Sequence, residues 1–306
     1  MLKFYNERIN GTIRGMLLLV LSGAMFSAMH ASIRYVSGGG SGVEGLHPFE
    51  IAFFRNFFGL LVVVPLLMRS GLGGLRTKRF PMHALRAIIQ VVSMLMFFMA
   101  LQLSELAEVT ALGFLAPLFA TIGAILIFGE KAHLRRFTAL AVGFAGAMVV
   151  LRPGFQEINL GLVLVISASA IWGVAMLLVK SMARSESSLT ITAYMAILMT
   201  PLSLGPALFF WRVPTVEELV GLFIIGVMGT IGHLSLAQSF READASAILP
   251  VDFVRLLWAA FFGFILFSEI PGLWTWIGGA MIFAAATYVA IREANIKNEE
   301  IKSEHL

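Results

Sequence analysis

The chain contains no cysteine, which excludes disulfides, thiolate metal sites and a thiol nucleophile. Charge is scarce as well. Only 13% of the 306 residues are Asp, Glu, Lys or Arg, about half of the ~25% typical of a soluble domain. There is no Walker loop for ATP, no HExxH helix and no GxSxG elbow. The six histidines are scattered without metal-ligand spacing. No cofactor, no metal, no nucleic-acid partner and no enzymatic activity are expected of such a chain.

What fills the sequence instead is apolar: 58% of residues are hydrophobic and the mean hydropathy is +0.88. A membrane helix needs ~20 mostly apolar residues, so the length predicts an all-α integral membrane protein of about ten helices. Apolar runs fall near 13–36, 48–68, 82–103, 107–128, 137–151, 158–180, 188–211, 217–240, 245–267 and 273–291. The first run is too long for the apolar core of a signal peptide, so an uncleaved first helix is expected. Polar tails cover 1–12 and 293–306. With ten helices, sixteen Lys and Arg residues from Lys3 to Lys302 share one side, and only Arg152 and Arg212 lie on the other. That asymmetry places both termini in the cytoplasm.

The chain also repeats itself. Gly15 and Gly161 start an ungapped match between the first and sixth runs that pairs Phe26 with Trp172 and Arg34 with Lys180. In the second and seventh, Ala52 matches Ala193 and Pro65 matches Pro206; further on, Gln102 matches Gln238, Ala107 Ala243, Glu108 Asp244 and Ala111 Ala247. A small, acidic opening (Ala107-Glu108-Val109-Thr110-Ala111; Ala243-Asp244-Ala245-Ser246-Ala247) precedes an apolar run closed by Phe128-Gly129-Glu130 or Phe267-Ser268-Glu269. Five helices per copy is an odd number, so the copies, 13–152 and 158–292, insert with opposite orientation. Inverted repeats of this kind are the plan of many secondary transporters.

These motifs, with Arg135-Arg136, Gly143, Gly146 and the exit Leu151-Arg152-Pro153-Gly154, resemble the drug/metabolite transporter superfamily, and within it the EamA type. The resemblance covers about 13–292. It implies alternating access without ATP and a small-molecule substrate, such as an amino acid, nucleotide-like metabolite, sugar, amine or carboxylate. Asp252 and Arg255, inside the ninth run, depart from the family's usual pattern.

A charge at mid-bilayer is costly, and intramembrane ionisable residues mark functional sites. Arg55 lies too deep to snorkel and reads as an anion-binding cation, the alternative being an ion pair with Glu50 at poor helical spacing. Asp252 and Arg255, spaced i,i+3, form either a self-satisfied pair or a gate, next to the helix-breaking Pro250. Gly23, Ser27, His30 and Arg34 share one face of the first run, where His30 could take a proton and Arg34 could snorkel outward. His233 sits on a glycine-rich face with Gly226, Gly229 and Thr230. Arg86, Gln90, Ser93 and Phe97 form a further stripe. Trp172, Tyr194 and Trp258 could stack on a ligand or serve as core. Glu108 is explained by the helix dipole, while Glu130 and Glu269 should pair with basic loop residues. Small-residue stripes (Ala139, Gly143, Ala147; Ala280, Ala284) should permit close helix contact, between halves or in a homodimer.

The expectation is an inner-membrane secondary transporter, with cations (Arg34, Arg55, Arg86, Arg255) exceeding the deep carboxylate Asp252. This favours an anionic or zwitterionic carboxylate or amino acid. The alternatives are an exporter of amines or nucleoside-like compounds using Asp252 and the aromatics, or a passive channel or lipid-handling protein. The expected partners are the substrate, the bilayer and a coupling proton or ion.

Overall fold

A segment surrounded by lipid must satisfy its own backbone hydrogen bonds, which favours helix throughout. The computed structural model describes residues 2–39, 44–70, 77–128, 134–152, 159–182, 185–186, 188–242, 251–252 and 254–304, and holds no strand among them. The helices are α1 (Leu2–Val36), α2 (Pro48–Ser70), α3 (Phe80–Leu103), α4 (Leu106–Gly113), α5 (Ala116–Phe128), α6 (Leu134–Leu151), α7 (Leu160–Met182), α8 (Ser188–Leu208), α9 (Val216–Glu242), α10 (Val254–Phe267) and α11 (Leu273–Glu304). Among the described residues six segments are long and apolar enough to cross a membrane: Ile13–Val36, Pro48–Pro65, Phe80–Leu103, Leu106–Gly123, Leu160–Leu178 and Val216–Leu236. Four further apolar helices are shorter: Thr138–Leu151, Ala193–Leu208, Val254–Phe267 and Leu273–Ala285. Both polar tails continue as helix, since α1 starts at Leu2 and α11 runs to Glu304.

The fourth apolar run is broken, which its hydropathy does not foretell. At Phe114–Leu115 the hydrogen bonds shorten to Phe114 N–H on Ala111 O (3.2 Å) and Leu115 N–H on Leu112 O (3.0 Å). Pro117 has no N–H to offer the Gly113 carbonyl four residues back, and glycine weakens the same turn. The result is two half-helices, α4 and α5, with Phe114 between them.

Contacts run mainly between the halves. α1 lies along α9 and α3 along α7; α2 meets α8 and α9, and α3 meets α8; α4 and α5 pack on α7, and α10 on α1; α6 pairs with α11. Exchanging α1 with α7, α2 with α8, α3 with α9, α4–α5 with α10 and α6 with α11 carries these principal contacts onto themselves. Large apolar side chains face outward on nearly every helix, among them Leu17, Leu85, Val163, Phe223 and Phe264, as lipid-facing surfaces require. The α6–α11 seam is closest at the glycines: a Cβ on Gly146 would stand 2.8 Å from Gly278 O, and one on Gly143 3.3 Å from Ala285 Cβ. The inward face of α11 is therefore Gly278, Ile282 and Ala285. The stripe expected at Ala280 and Ala284 is exposed instead, because it is two residues out of phase with the buried set.

One end of the bundle is locked by charge. Ser268 takes a left-handed backbone (φ 57°), so its N–H reaches Phe264 O (3.0 Å), the bond of an αL helix stop, and that of Glu269 reaches Gly263 O (3.1 Å). The turn aims Glu269 back into the protein. One carboxylate oxygen pairs with the Arg34 guanidinium, and the other accepts the Leu106 N–H at the start of α4 (3.1 Å). Arg34 also donates to Leu101 O (2.9 Å) and lies over the Phe267 ring (5.1 Å). It is a buried cross-half ion pair and not a snorkelling cation. Glu130, expected to behave like Glu269, lies outside the described residues.

Candidate functional site

Where α1 meets α10, small residues allow close approach. A Cβ on Gly23 would stand 3.5 Å from Arg255 Cβ, and Ser27 Oγ donates to the Arg255 carbonyl (3.1 Å). The Arg255 guanidinium reaches across to the break between α4 and α5, 4.6 Å from the Phe114 ring centroid. Asp252 Oδ2 lies 3.6 Å from Arg255, a contact too long for a firm hydrogen bond, and Arg255 Nε is buried without a partner. The pair expected from its spacing therefore forms, but loosely. Phe114 was not anticipated; Gly113 and Pro117, four residues apart, were the signal for it.

Arg55 projects from α2 onto α9. It donates to Asn56 Oδ1 (2.9 Å), and a Cβ on Gly229 would stand 3.3 Å from Arg55 Nε. That glycine makes the space the guanidinium uses. Glu50 is not its partner: among the described residues no carboxylate lies within ion-pair distance of Arg55 or Arg86. The neighbouring Asn56 ties α2 to α8 through Ser203 (3.1 Å).

His30 and His233 enter the same region from α1 and α9. His233 meets the edge of Phe26 (4.9 Å between centroids), and His30 lies 5.0 Å from Phe97. His30 Nδ1 is buried and unpartnered. The charges of Arg55 and Arg255 both act on His30, as does His233, so these four residues of α1, α2, α9 and α10 form one electrostatic cluster.

Arg86, Gln90 and Ser93 follow one face of α3, as their spacing predicted. Arg86 is buried, donating to Ile191 O (3.1 Å), with Nε unpartnered. Gln90 leans on Met195 Sδ (3.2 Å) and leaves its carbonyl oxygen unpartnered. Ser93 donates to Ala168 O (2.8 Å). Tyr194 stacks on His83 (4.6 Å, 23°) and meets Phe80 edge-on (6.0 Å), near the start of α3. Trp172 is half-buried on α7, beside Gly173, where α7 presses on the Ala116–Ala120 turn of α5. Trp258 stacks on Phe262 (6.2 Å) with its indole N–H buried and unpartnered. Among the described residues no group of three His, Asp or Glu side chains could hold a metal ion. The site offers aromatic faces and hydrogen-bond donors, and few acceptors.

Known proteins are similar to this chain along most of its length. The riboflavin transporter of Vibrio cholerae is 29% identical over 293 residues, 94% of this chain and 96% of its own. The S-adenosylmethionine uptake transporter of Rickettsia prowazekii is 29% identical over 259 residues, 85% of this chain and 88% of its own. A crystal structure with 18% identity superposes with a TM-score of 0.60 over 92% of this chain and 98% of its own, which shows a shared fold. The EamA-like transporter family model matches twice, over residues 13–152 and 159–291. With both halves matched, the chain belongs to the EamA-like transporter family of the drug/metabolite transporter superfamily, a family of membrane transporters and not of enzymes.

Proposed function

We propose that the chain is a secondary transporter that moves a small organic metabolite across the cytoplasmic (inner) membrane by alternating access. In this reading ten spans form two inverted repeats, 13–152 and 158–292, with both termini cytoplasmic. The self-matching contact pattern of the halves supports it, as does the one-sided distribution of Lys and Arg. In this reading the cargo binds where α1, α2, α9 and α10 meet the α4–α5 break, with α3 and α8 alongside. Discontinuous helices are where transporter cargo binds.

The observation that carries the substrate class is the imbalance of this region. Arg55, Arg86 and Arg255 bring three guanidinium groups, and Asp252, 3.6 Å from Arg255, is the one described carboxylate in range of any of them. Arg86 Nε, Arg255 Nε and the Trp258 N–H wait for acceptors. A cargo rich in acceptor oxygens, anionic or zwitterionic, answers that demand. Riboflavin and S-adenosylmethionine, named for two relatives, each join a planar nitrogen heterocycle to a polar tail. Phe26, Phe97 and Phe114 supply ring faces for the heterocycle, and the arginines bind the oxygens. The second reading, a nucleoside-like cation, would use Asp252 as counter-ion.

Binding to the folded state raises apparent stability, so thermal shifts of purified protein with riboflavin, S-adenosylmethionine, amino acids and dicarboxylates test the class. Arg55→Gln and Arg255→Gln should each weaken the active compound by roughly tenfold or more, from loss of a charged hydrogen bond worth ~1.5–3 kcal/mol. Unchanged binding in both variants refutes the acceptor-rich cargo. A loss confined to Asp252→Asn selects the cationic reading. Saturable counterflow in proteoliposomes supports a carrier, and non-saturating flux shows a channel.

A further inference from the structure

Glu50 is fully buried (0% exposed) in the first turn of α2, and among the described residues neither carboxyl oxygen has a hydrogen-bond partner. The cargo cluster does not use it. Around the start of α2 the link to α9 forms an aromatic cover: His47 stacks flat on Phe210 (3.7 Å, 5°), Phe49 meets the same ring edge-on (5.6 Å), and Trp211 packs on Phe54 (5.5 Å). Phe210 and Trp211 belong to the link between α8 and α9. The charges that act on Glu50 come from that link and the start of α9: Arg212 and Glu218. They are engaged with each other, the Arg212 guanidinium on Glu218, while the Arg212 backbone faces Glu50 without reaching hydrogen-bond geometry. α8 carries no charged residue, nor does the outer half of α3, and α1 ends in Arg34, bound to Glu269. On the far side of the cover is a cavity of about 350 Å³ lined by Glu44, His47, Gln102, Phe210 and Arg212 among others.

An ionised carboxylate with no partner is costly in such a place, and the neutral acid much less so. Water, the α2 N-terminus and a freed Arg212 all favour the anion once the cover lifts. The group therefore has two states whose balance depends on whether the link is seated. We propose that Glu50 is the proton-carrying carboxyl of this transporter, exchanging its proton with water from the cavity beside the α8–α9 link when that link lifts, and thereby coupling transport to the pH gradient. When the link lifts, the acid gives its proton to cavity water and the carboxylate meets Arg212. When a proton returns, the neutral acid is buried again beneath the reseated aromatic cover. Carboxyls that are alternately buried and solvated serve as proton relays in membrane pumps and transporters.

The proposal rests on the transporter reading, and two measurements separate the two. Infrared difference spectra of the purified full chain between acid and alkaline pH should contain a protonated-carboxyl band that Glu50→Gln lacks and Glu50→Asp displaces. In proteoliposomes with riboflavin or S-adenosylmethionine as probe, an imposed pH gradient should drive accumulation by the wild type. Glu50→Gln should lose that drive down to simple equilibration, while counterflow, which needs no net proton movement, continues. Superimposable infrared spectra for wild type and Glu50→Gln overturn the proposal whatever the probes do, and so does gradient-driven accumulation that survives Glu50→Gln. Absence of counterflow for both probes in the wild type counts against the cargo reading alone, and the infrared titration then decides Glu50.

Discussion

Glu269→Gln should open the end of the bundle where α1 stops and α4 starts. The Arg34 and Glu269 side chains are 6% and 12% exposed, so solvent screens the pair little. Removing one partner of a buried pair costs ~3–5 kcal/mol, because the other charge is left uncompensated. Glutamine keeps an acceptor for the Leu106 N–H, now at 3.1 Å, and Arg34 keeps Leu101 O at 2.9 Å. The expected loss is therefore lower, about 2–3 kcal/mol. If the pair exists only while this end is closed, that energy appears as a population shift of roughly 30- to 150-fold toward the open state. Global stability is then buffered, because the protein can move to the open state instead of unfolding.

The assay is unusually clean, because a chain without cysteine carries one thiol after Thr110→Cys. Thr110 is buried one turn below Leu106, its hydroxyl on Leu106 O (2.8 Å). A membrane-impermeant maleimide should label this cysteine slowly in the parent and roughly 30-fold or more faster with Glu269→Gln added. Adding Arg34→Gln to Glu269→Gln should bring the labelling rate part of the way back, with a coupling of about 1–3 kcal/mol in a double-mutant cycle on the labelling rates. Labelling within about twofold of the parent, together with additive single-mutant effects, refutes the idea that this pair holds the end shut.

Three further outcomes follow from local geometry. Ser268→Gly should raise stability by about 0.5–1 kcal/mol, since a left-handed backbone at φ 57° suits glycine; Ser268→Val should lower the melting temperature. Gly278→Ala should cost about 1–3 kcal/mol, because its new methyl would stand 2.6 Å from Val150 Cγ2 and 2.9 Å from Val150 N; an unchanged melting temperature would show that the α6–α11 seam yields freely. Burial lowers the His47 imidazole below its ordinary value, so the unfolded chain protonates first as pH falls. His47 then contributes no penalty above about pH 6.5 and progressive destabilisation below it; His47→Phe should flatten that part of a stability–pH profile.

Features set by one helix's own pattern could be read from the sequence, while those set by a distant segment could not. Asp252 and Arg255 are neighbours by helical spacing, and they are found 3.6 Å apart. Arg86, Gln90 and Ser93 share a face for the same reason. Arg34 looked like a cation reaching for the surface because its partner lies 235 residues away, behind a turn that only the Ser268 backbone creates. The rings that Tyr194 meets, His83 and Phe80 on α3, lie more than a hundred residues away and could not be read from its own helix. The α4–α5 break was legible in Gly113 and Pro117 and was hidden by the run's uniform hydropathy. Glu50 shows the limit of spacing arguments most clearly. Five residues from Arg55 it does not pair with that cation, and only the fold shows that no described side chain bonds it.

On the proposed transporter reading, the symmetry of contacts and the asymmetry of chemistry together narrow where selectivity would lie. The match of Gln102 with Gln238 extends along α3 and α9 to place Arg86, Gln90, Ser93 and Phe97 opposite Leu222, Gly226, Gly229 and His233. Where α3 carries long polar side chains, α9 carries glycines, and the space they leave is filled from α2. A Cβ on Gly226 would stand 2.6 Å from Phe58 Cβ, and one on Gly229 3.3 Å from Arg55 Nε. The partner of α2 across the exchange is α8, which has Ala196 where α2 has Arg55, and against α8 lie Arg86 and Gln90. Each helix pair thus supplies one guanidinium, from α2 on one side and from α3 on the other. A cargo bound between them meets cations from opposite directions and at different depths, which suits a molecule with acceptors at both ends better than a single carboxylate. If so, Arg55→Gln and Arg86→Gln should weaken binding of such a molecule additively, and a truncated analogue lacking one polar end should become insensitive to one of the two substitutions. Equal sensitivity of the analogue to both would place the two guanidiniums on the same group and refute the two-ended arrangement.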